Sequence, residues 1–346
     1  MRLALPTAAS AQSMHLCAAK RCALSIFPAL LDFLRKIWYD KKDDCPAHGI
    51  RLPGRFSLGY RKESDMEFKN PDPSVLGRKK LFIFDMDGTI YLGGQVFPFA
   101  IRFIKHLRAY GKRVLFFTNN ASHDPAFYME KLTRLGFAPT REEIMTSGDV
   151  TIEFLRRHRA GKSVYLVGTP ELEKSFREAG IPLLTGSEAR ADIVITSFDT
   201  TLTYQKLDNA CRLIRGGAEY LSTHPDFNCP TETGFIPDSG AIAAFVTAST
   251  GKTPTYFGKP YRETVEMICE TTGLDRSEMC IFGDRLYTDI AIGKKHGVTA
   301  VLVLTGETTP ADVEAAPPDA RPDFVYPSLA EVDAEVRPWG SAPNPA

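Results

Sequence analysis

The chain of 346 residues carries 42 lysine and arginine residues and 42 aspartate and glutamate residues, so its formal net charge is zero. Such a chain has no broad positive field to attract nucleic acid or an acidic membrane surface, and we expect neither as a partner. Its hydrophobic content of 43% and charged content of 24% are those of an ordinary globular protein, whose length suggests about two domains and some additional chain.

The first 78 residues differ from the rest because they show no clear hydrophobic periodicity. They contain no acidic residue before Asp32, as in a transit peptide, but arginine and serine are too sparse to favour one. We therefore expect a disordered extension over residues 1–78. Met66 lies shortly before Lys79, where apolar runs and helical segments begin to alternate. We therefore expect either that the protein starts at or near Met66 or that residues 1–65 are dispensable.

The chain shows no sign of a membrane segment or a disulfide framework. No apolar stretch reaches the roughly 18 residues that a membrane-spanning helix needs. Residues 23–34 come nearest, but Pro28 and Asp32 interrupt them. The seven cysteines are scattered, without the close pairs that indicate a zinc site. This distribution is typical of a reducing compartment, and we expect a cytoplasmic protein.

From Lys79 onward, short apolar runs alternate with segments of helical periodicity. Continuous apolar runs separated by helices are typical of parallel strands that are buried on both faces. The pattern predicts an α/β fold with parallel sheets. The runs are residues 81–84, 114–117, 164–167, 193–196, 280–282 and 301–304.

The sequence also predicts where several helices begin and end. Asp124 followed by Pro125 is typical of a helix N-cap and first helical residue, and Gly136 is expected to end that helix. Gly297 is expected to close a later, shorter one. Residues 337–346 are rich in proline, and we expect a fraying C-terminal tail.

The strongest chemical signal directly follows the first apolar run. Asp85 and Asp87 stand there two residues apart, which on an extended chain places them on the same side. Like charges so close are costly unless a cation or a shared proton relieves them. Gly88 then allows the backbone to turn sharply and to approach a ligand. The alternative interpretation is a strand that simply runs into an Asp-Gly turn.

Two further segments contain groups that suit an anion. Thr118 and Asn119 follow the second apolar run, in a polar segment whose hydroxyl, amide and backbone N–H groups can surround phosphate oxygens. Lys259 stands between Gly258 and Pro260 and can supply positive charge. Each feature is weak alone, because polar loops and single lysines are common.

A last pair of acids follows the fifth apolar run. Asp284 stands at its end, and Asp289 lies near the start of the next helix. Mg²⁺ prefers carboxylate oxygens together with water and phosphate, although Asp289 has the alternative role of stabilising the helix N-terminus. All four segments follow predicted strands. Because the carboxyl ends of parallel strands share one edge of a sheet, we expect a single site there.

In this order the four segments resemble the haloacid dehalogenase superfamily of phosphohydrolases. The resemblance covers about residues 79 to 330 and implies a Rossmann-like parallel-sheet core. The matching positions are residues 85–89 for the first motif, Thr118 for the second, Lys259 for the third, and Gly283, Asp284 and Asp289 for the fourth.

The resemblance also implies an inserted domain. About 140 residues separate Thr118 from Lys259, and in this superfamily that placement implies an α/β cap of the second type. Residues 91–93, 222–226 and 237–241 narrow the resemblance to subfamily IIA, which contains NagD-like, 4-nitrophenyl and phosphoglycolate phosphatases. Two positions depart from it: the family usually has Asn where this chain has His224, and Gly where it has Asp238.

The expected domains follow from this resemblance. The core should comprise residues 79–145 and 235–336, and the cap residues 146–234, closing over the site. Within the cap, the loop of residues 226–230 is our candidate for substrate contacts, with Cys229 facing the pocket, although a purely structural turn is the alternative. Dimers formed through the cap are common in this subfamily, so a homodimer is possible.

The family roles transfer to this chain residue by residue. Asp85 resembles the nucleophile, and Asp87 the general acid and base. Thr118, the Asn119 backbone and Lys259 resemble the groups that bind the phosphate, next to Gly88. The resemblance implies Mg²⁺ as cofactor, held by Asp85, the Asp87 carbonyl and Asp284, with Asp289 orienting the metal site or Lys259.

The resemblance therefore implies hydrolysis of small phosphorylated metabolites through an aspartyl-phosphate. Mg²⁺ and Lys259 would neutralise the phosphate so that a carboxylate can approach it. A phosphotransferase or mutase shares the first half of this reaction. A phospho-ligand-binding protein on an inactive enzyme scaffold is a further alternative. A dehalogenase is disfavoured, because in the family pattern the dehalogenases lack an acid at the position of Asp87.

Overall fold

The structure, a computed structural model, describes residues 68–186, 190–231 and 234–336. It is an α/β fold, as the sequence predicts, and each of the six apolar runs forms a strand. In chain order the strands are β1 (Leu81–Phe84), β2 (Tyr91–Leu92), β3 (Gln95–Val96), β4 (Arg113–Thr118), β5 (Ile144–Thr146), β6 (Val164–Val167), β7 (Ile193–Thr196), β8 (Glu219–Ser222), β9 (Asn228–Thr231), β10 (Gly234–Pro237), β11 (Thr255–Tyr256), β12 (Met279–Gly283), β13 (Thr299–Val303) and β14 (Phe324–Tyr326).

The helices lie mostly between these strands, where the sequence predicts them. The predicted N-cap at Asp124 is confirmed, because its carboxylate accepts a hydrogen bond of 2.9 Å from the backbone N–H of Phe127. The helices are α1 (Ser74–Gly77), α2 (Pro98–Ala109), α3 (Pro125–Arg134), α4 (Ser147–His158), α5 (Pro170–Glu178), α6 (Tyr204–Arg215), α7 (Ser239–Thr250), α8 (Arg262–Thr272), α9 (Ala291–His296), α10 (Pro310–Ala315) and α11 (Leu329–Val336).

Six strands form a parallel sheet in the order β14-β13-β12-β1-β4-β5. The last residue of β1, Phe84, pairs with Phe116 of β4 and Phe282 of β12. All four side chains of β1 are buried, as expected for a strand covered on both faces. This register ends the three strands at nearly the same level. The residues that follow them therefore meet at one edge of the sheet.

A second parallel sheet has the order β11-β8-β7-β6. Helix α7 packs against it, since Ile242 and Val246 share a buried cluster with Val194 of β7. The second sheet thus continues to Tyr256, past residue 234, where we expect the cap to end. The exact division of the chain into core and cap stays a prediction.

One buried apolar cluster contains residues of both sheets. Ile83 and Phe117 belong to it from the core sheet, and Leu166 and Ile195 from the second sheet. Helices α4 and α8, which contact each other, also contribute to it. A shared apolar cluster of this kind holds the loops of both sheets close together.

The folded part of the chain begins before Lys79. The side chain of Asn70 donates to the carbonyl of Val325 at 2.9 Å and accepts from its N–H at 2.8 Å, so it pairs with the edge strand β14. Leu76 is fully buried, and Phe68 packs beside β13 and β14. Residues 68–78 therefore belong to the fold rather than to the expected extension. Their few apolar residues are too widely spaced to show a periodicity.

The expectations about residues 1–67, including Met66, and about the tail 337–346 concern parts of the chain outside the described residues. Among residues 68–186, 190–231 and 234–336, no helix is both long and apolar enough to cross a membrane.

Two shortened chains test the start of the folded part. A chain that begins at Met66 should keep full activity and melting temperature, because it retains the Asn70 and Leu76 contacts. A chain that begins at Lys79 should melt several degrees lower, since the lost hydrogen bonds and apolar burial are worth about 1–3 kcal/mol each. Thermal unfolding of both chains beside the full chain measures this. Equal melting temperatures for the two shortened chains would contradict the prediction.

Candidate active site

Three of the four predicted segments follow strands of the core sheet, and the fourth reaches the site from the second sheet. Asp85 follows β1, Thr118 ends β4, and Asp284 follows β12. Lys259 instead follows β11, which pairs with β8 of the second sheet. The expectation that all four share one sheet edge is therefore wrong for Lys259. The pairing partner of a two-residue strand is not visible in the local sequence.

Lys259 nevertheless lies among the predicted acids. Its Nζ forms ion pairs with Oδ1 of Asp85 and, at 2.6 Å, with Oδ1 of Asp289. Burial disfavours the ammonium form, but the charges of Asp289 and Asp85 outweigh it and raise the pKa of Lys259. The ammonium also lies 5.3 Å from the centre of the Phe117 ring. Lys259 is thus a buried cation in direct contact with the predicted nucleophile.

Burial makes the charged forms of two acids of the site costly. Burial raises the pKa of Asp85 to about 6, although Lys259 lowers it. Burial and the charges of Asp289 and Asp85 raise the pKa of Asp284 to about 7. A divalent cation beside these acids would favour their charged forms.

The geometry of the same acids suits a metal ion. Ligand oxygens of Asp85, Asp284 and Asp289 all lie within 4.8 Å of one another. Oδ2 of Asp284 accepts a hydrogen bond of 2.7 Å from the backbone N–H of Glu307, whereas the buried Oδ1 has no hydrogen-bond partner among the described residues. Buried oxygens are normally satisfied, and Mg²⁺ prefers carboxylate oxygens. The residues present therefore fit the predicted magnesium site.

Asp87 is placed differently from the other acids. Its side chain is exposed, and its carboxylate is not part of the cluster of Asp85, Asp284 and Asp289. It is free to face solvent and an incoming ligand, as an acid that exchanges protons with substrate and water requires. The assignment of its backbone carbonyl to the metal stays a prediction.

Gly88 permits the close packing of this edge. It adopts φ +85°, and a Cβ there would lie 2.5 Å from Oδ2 of Asp284. Its backbone carbonyl accepts a hydrogen bond of 2.6 Å from the hydroxyl of Thr305. Any side chain at this position would displace Asp284, so glycine is required here for the acid cluster itself.

The side chain of Asn119 holds the backbone of Lys259. Its Oδ1 accepts from the N–H of Lys259 at 2.7 Å, and its Nδ2 donates to the carbonyl of Lys259 at 3.0 Å. Gly258, at φ +74°, leaves room for this contact, since a Cβ there would lie 2.7 Å from Oδ1 of Asn119. Thr118 is half-buried beside it and accepts from the N–H of Asn120 at 3.2 Å. The amide of Asn119 thus joins the second and third motifs.

Arg285 is not among the residues that the sequence predicts for the site. Its Nε lies 3.0 Å from Oε2 of Glu307, which also accepts a hydrogen bond of 3.0 Å from the hydroxyl of Tyr287. Only 28% of the Arg285 side chain is exposed, and its charge lowers the pKa of Asp85 and Asp284. Its position directly after Asp284 is the feature of the sequence that could have indicated a place in the site.

Cys229 lies on β9 and is half-buried. Burial, with the nearby charges of Asp238 and Asp226, raises the pKa of its thiol to about 11. The thiol is therefore protonated at neutral pH and is not a nucleophile. Arg285 lowers and Asp87 raises the pKa of the same thiol, and its contact with substrate stays a prediction.

Comparisons with known proteins identify the family of the chain. A family model described as haloacid dehalogenase-like hydrolase matches residues 82–182, and a HAD-hydrolase-like model matches residues 256–332. An acid sugar phosphatase of Staphylococcus aureus is 35% identical over 257 residues, which cover 74% of this chain and 98% of the relative.

Solved structures show the same relationship. A 4-nitrophenylphosphatase of Thermotoga maritima is 42% identical, with a TM-score of 0.71, over 76% of this chain and 99% of that one. A glycerol phosphate phosphatase of Mycobacterium tuberculosis in complex with magnesium is 28% identical, with a TM-score of 0.70, over 81% of this chain and 82% of that one. The chain belongs to the haloacid dehalogenase-like hydrolase family, within its subfamily IIA of NagD-like proteins and 4-nitrophenylphosphatases.

Proposed function

We propose that this protein is a magnesium-dependent phosphatase that hydrolyses small phosphomonoesters through an aspartyl-phosphate on Asp85. The observation that carries the proposal is the position of the Asp85 carboxylate, between the buried Lys259 ammonium and two further acids, Asp284 and Asp289. Oδ1 of Asp284 has no hydrogen-bond partner among the described residues. A nucleophile, a fixed cation and a cation-binding cluster thus lie in one place, as phosphoryl transfer to a carboxylate requires.

The first step would transfer the phosphoryl group to the protein. A carboxylate oxygen of Asp85 forms a bond to phosphorus as the bond to the ester oxygen breaks, and Asp87 gives its proton to that leaving oxygen. Lys259 and Arg285 offset the negative charge of the phosphoryl oxygens. Bound at Asp85, Asp284 and the Asp87 carbonyl, with Asp289 nearby, Mg²⁺ would supply further positive charge to the phosphate.

The second step would release inorganic phosphate. Asp87, now ionised, takes a proton from a water molecule whose oxygen attacks phosphorus, and the bond between phosphorus and Asp85 breaks. Thr118, the Asn119 backbone N–H and the turn at Gly88 would hold the phosphoryl oxygens meanwhile. The nucleophile and the proton carrier are restored, so the cycle can repeat.

The substrate class is taken from what the relatives act on. The names of the similar proteins specify sugar phosphates, glycerol phosphate and 4-nitrophenyl phosphate. We propose small phosphomonoesters of this kind, bound under a cap that excludes water during transfer. Nucleic acid and membranes are not proposed as partners. A homodimer through the cap stays a prediction.

The test is phosphate release from 4-nitrophenyl phosphate, a sugar phosphate and glycerol phosphate. Turnover should require added magnesium, disappear with a chelator and return when magnesium is restored. Asp284→Asn should raise the magnesium concentration needed for half-maximal activity. Transfer to an added alcohol or isomerisation of a sugar phosphate, without net phosphate release, would favour the phosphotransferase or mutase. Binding of phosphate without turnover of any substrate would favour the non-catalytic alternative.

Cys229 provides a test of the cap's contribution to specificity. Cys229→Met adds volume on the side of the site, so it should change kcat/KM unequally among the three substrates, and most for the bulkiest one. Cys229→Ser keeps the volume and should leave the ranking unchanged. Steady-state kinetics on all three esters measures this. A uniform change across substrates would show that Cys229 does not determine specificity.

A further inference from the structure

A second group of charged residues lies beside the loops of the second and third motifs. His224 is fully buried, and its Nε2 lies 2.8 Å from Oδ1 of Asp238, which is itself buried at the N-cap of α7. Asp226 belongs to the same group, because its carboxylate lies within 4.8 Å of the other two ligand atoms. None of these three residues has a role in the proposed reaction.

The hydrogen bonds around His224 determine its protonation. Nδ1 lies 2.9 Å from the Thr223 hydroxyl and 3.3 Å from the Ser147 hydroxyl. The Thr223 hydroxyl already donates to Ser197 at 2.9 Å, and the Ser147 hydroxyl donates to the carbonyl of Asn119 at 2.5 Å. A hydroxyl has one proton, so in this arrangement both present lone pairs to Nδ1, which then acts as a donor.

The other ring nitrogen must also be a donor. Nε2 faces the carboxylate of Asp238, which is an acceptor and is further fixed by a hydrogen bond of 2.5 Å from the N–H of Ser239. A ring with two N–H donors is an imidazolium. Burial opposes this charge, but Asp238 and then Asp226 outweigh it and raise the pKa of His224.

This cation is in contact with the loops of the second and third motifs. The Ser147 hydroxyl connects it to the carbonyl of Asn119, whose amide holds the backbone of Lys259. The Asn119 amide also lies 3.2 Å from a carboxylate oxygen of Asp226. A Cβ on Gly258 would lie 2.9 Å from Cβ of His224, so the two backbones pack directly. The ring therefore lies where the two loops meet.

We propose that His224 is a buried imidazolium that, paired with Asp238, positions Asn119 and Lys259 for phosphate binding. His224 and Asp238 are also the two positions at which the chain departs from the subfamily pattern. The structure makes them one unit, because an imidazolium here requires the carboxylate and a carboxylate here requires the cation. His224 is a positioning residue, since it reaches the substrate only through Asn119 and Lys259.

The protonation state is tested without any assay of activity. Nitrogen-15 NMR of the histidine rings should show one fully buried ring with both nitrogens protonated at pH 7, and this signal should be absent from His224→Asn. A single protonated nitrogen on His224 at that pH would overturn the proposal. Because this measurement does not depend on turnover, it stands even if the proposed phosphatase function fails.

The positioning role is tested by kinetics and by inorganic phosphate binding. The effect of His224→Asn should be a fall in kcat/KM of about tenfold to a hundredfold, mostly through KM, with a matching loss of phosphate affinity in calorimetry. In the original chain, activity should also decline as pH rises through the raised pKa of His224. That pH-dependent decline should be missing in the variant. An unchanged KM and phosphate affinity would contradict the role.

Two further variants separate positioning from stability. His224→Asn with Asp238→Asn removes the unpaired carboxylate, so it should recover much of the melting temperature but not kcat/KM. His106→Asn breaks a similar pair, 2.6 Å from Asp333, that joins α2 to α11, and should lower the melting temperature without changing KM. Recovery of kcat/KM together with stability in the double variant would show a purely structural role.

The stability of the fold, like the activity, should decline as pH rises through the raised pKa of His224. The folded-state pKa of His224 is raised, so the ion pair should stabilise the fold fully below the ordinary histidine value of about 6.5. This stabilisation should be lost as pH rises through the raised value. The difference in melting temperature between the original chain and His224→Asn should shrink accordingly. A difference that grows with pH would contradict the imidazolium.

Discussion

Asp85→Asn should abolish turnover of every phosphomonoester, lowering kcat by about four orders of magnitude or more. The amide is a poor nucleophile, and the change also removes one charge from the acid cluster and one partner of Lys259. No phosphorylated protein should be detected by mass after acid quenching of a reaction. Phosphate release and intact-protein mass spectrometry on the same samples measure both effects.

A matched control separates chemistry from the loss of a buried ion pair. Asp199 is almost fully buried and lies 2.7 Å from Nζ of Lys206, which makes it comparable to Asp85 with Lys259. Asp199→Asn should lower stability while leaving phosphorylation of Asp85 detectable. If Asp85→Asn still became phosphorylated, the nucleophile would be another residue and the proposed mechanism would be wrong.

Asp87→Asn should have an effect that depends on the leaving group. With 4-nitrophenyl phosphate, the phenolate leaves without much protonation, so phosphorylation of Asp85 should be partly preserved. Hydrolysis of the aspartyl-phosphate should then slow by ~10²–10⁴-fold, because general-base help to water is lost. The phosphorylated protein should accumulate and be seen by mass. With glycerol phosphate, the alkoxide needs a proton, so even the first step should fail.

The exposed position of Asp87 allows its role in proton transfer to be separated from a role in metal binding. Asp87 lies outside the cluster of Asp85, Asp284 and Asp289, so replacing its carboxylate by an amide should leave the magnesium requirement nearly unchanged. Magnesium titrations of the variant serve as the control. Equal slowing of aryl and alkyl esters, with no intermediate and a raised magnesium requirement, would assign Asp87 to the metal site rather than to proton transfer.

Much of the site was predictable because its parts are local. Asp85, Thr118 and Asp284 each lie at the end of an apolar run, and such a run can be recognised from the neighbouring sequence alone. The geometry of a parallel sheet then brings these residues to one edge. The same holds for the helix that begins after Asp124, whose cap is three residues from its partner. Patterns of this kind depend on backbone geometry that neighbouring residues share.

Contacts between residues far apart in the sequence could not be predicted. The amide of Asn119 holds the backbone of Lys259 across 140 positions of the chain, and Asn70 pairs with Val325 across 255. No periodicity records such a partner, because the contact depends on how whole elements pack. The membership of β11 in the second sheet and the burial of Leu76 were unpredictable for the same reason.

The sequence by itself thus determined the α/β class and the order of the strands along the chain, and it predicted residues for the chemistry. Only the tertiary structure decided what each buried charge faces. His224 and Asp238 read separately as two departures from a family pattern, whereas in the fold they are an ion pair of 2.8 Å. The physical reason is that the protonation of a buried group depends on its neighbours in space, and those come from different elements of the chain.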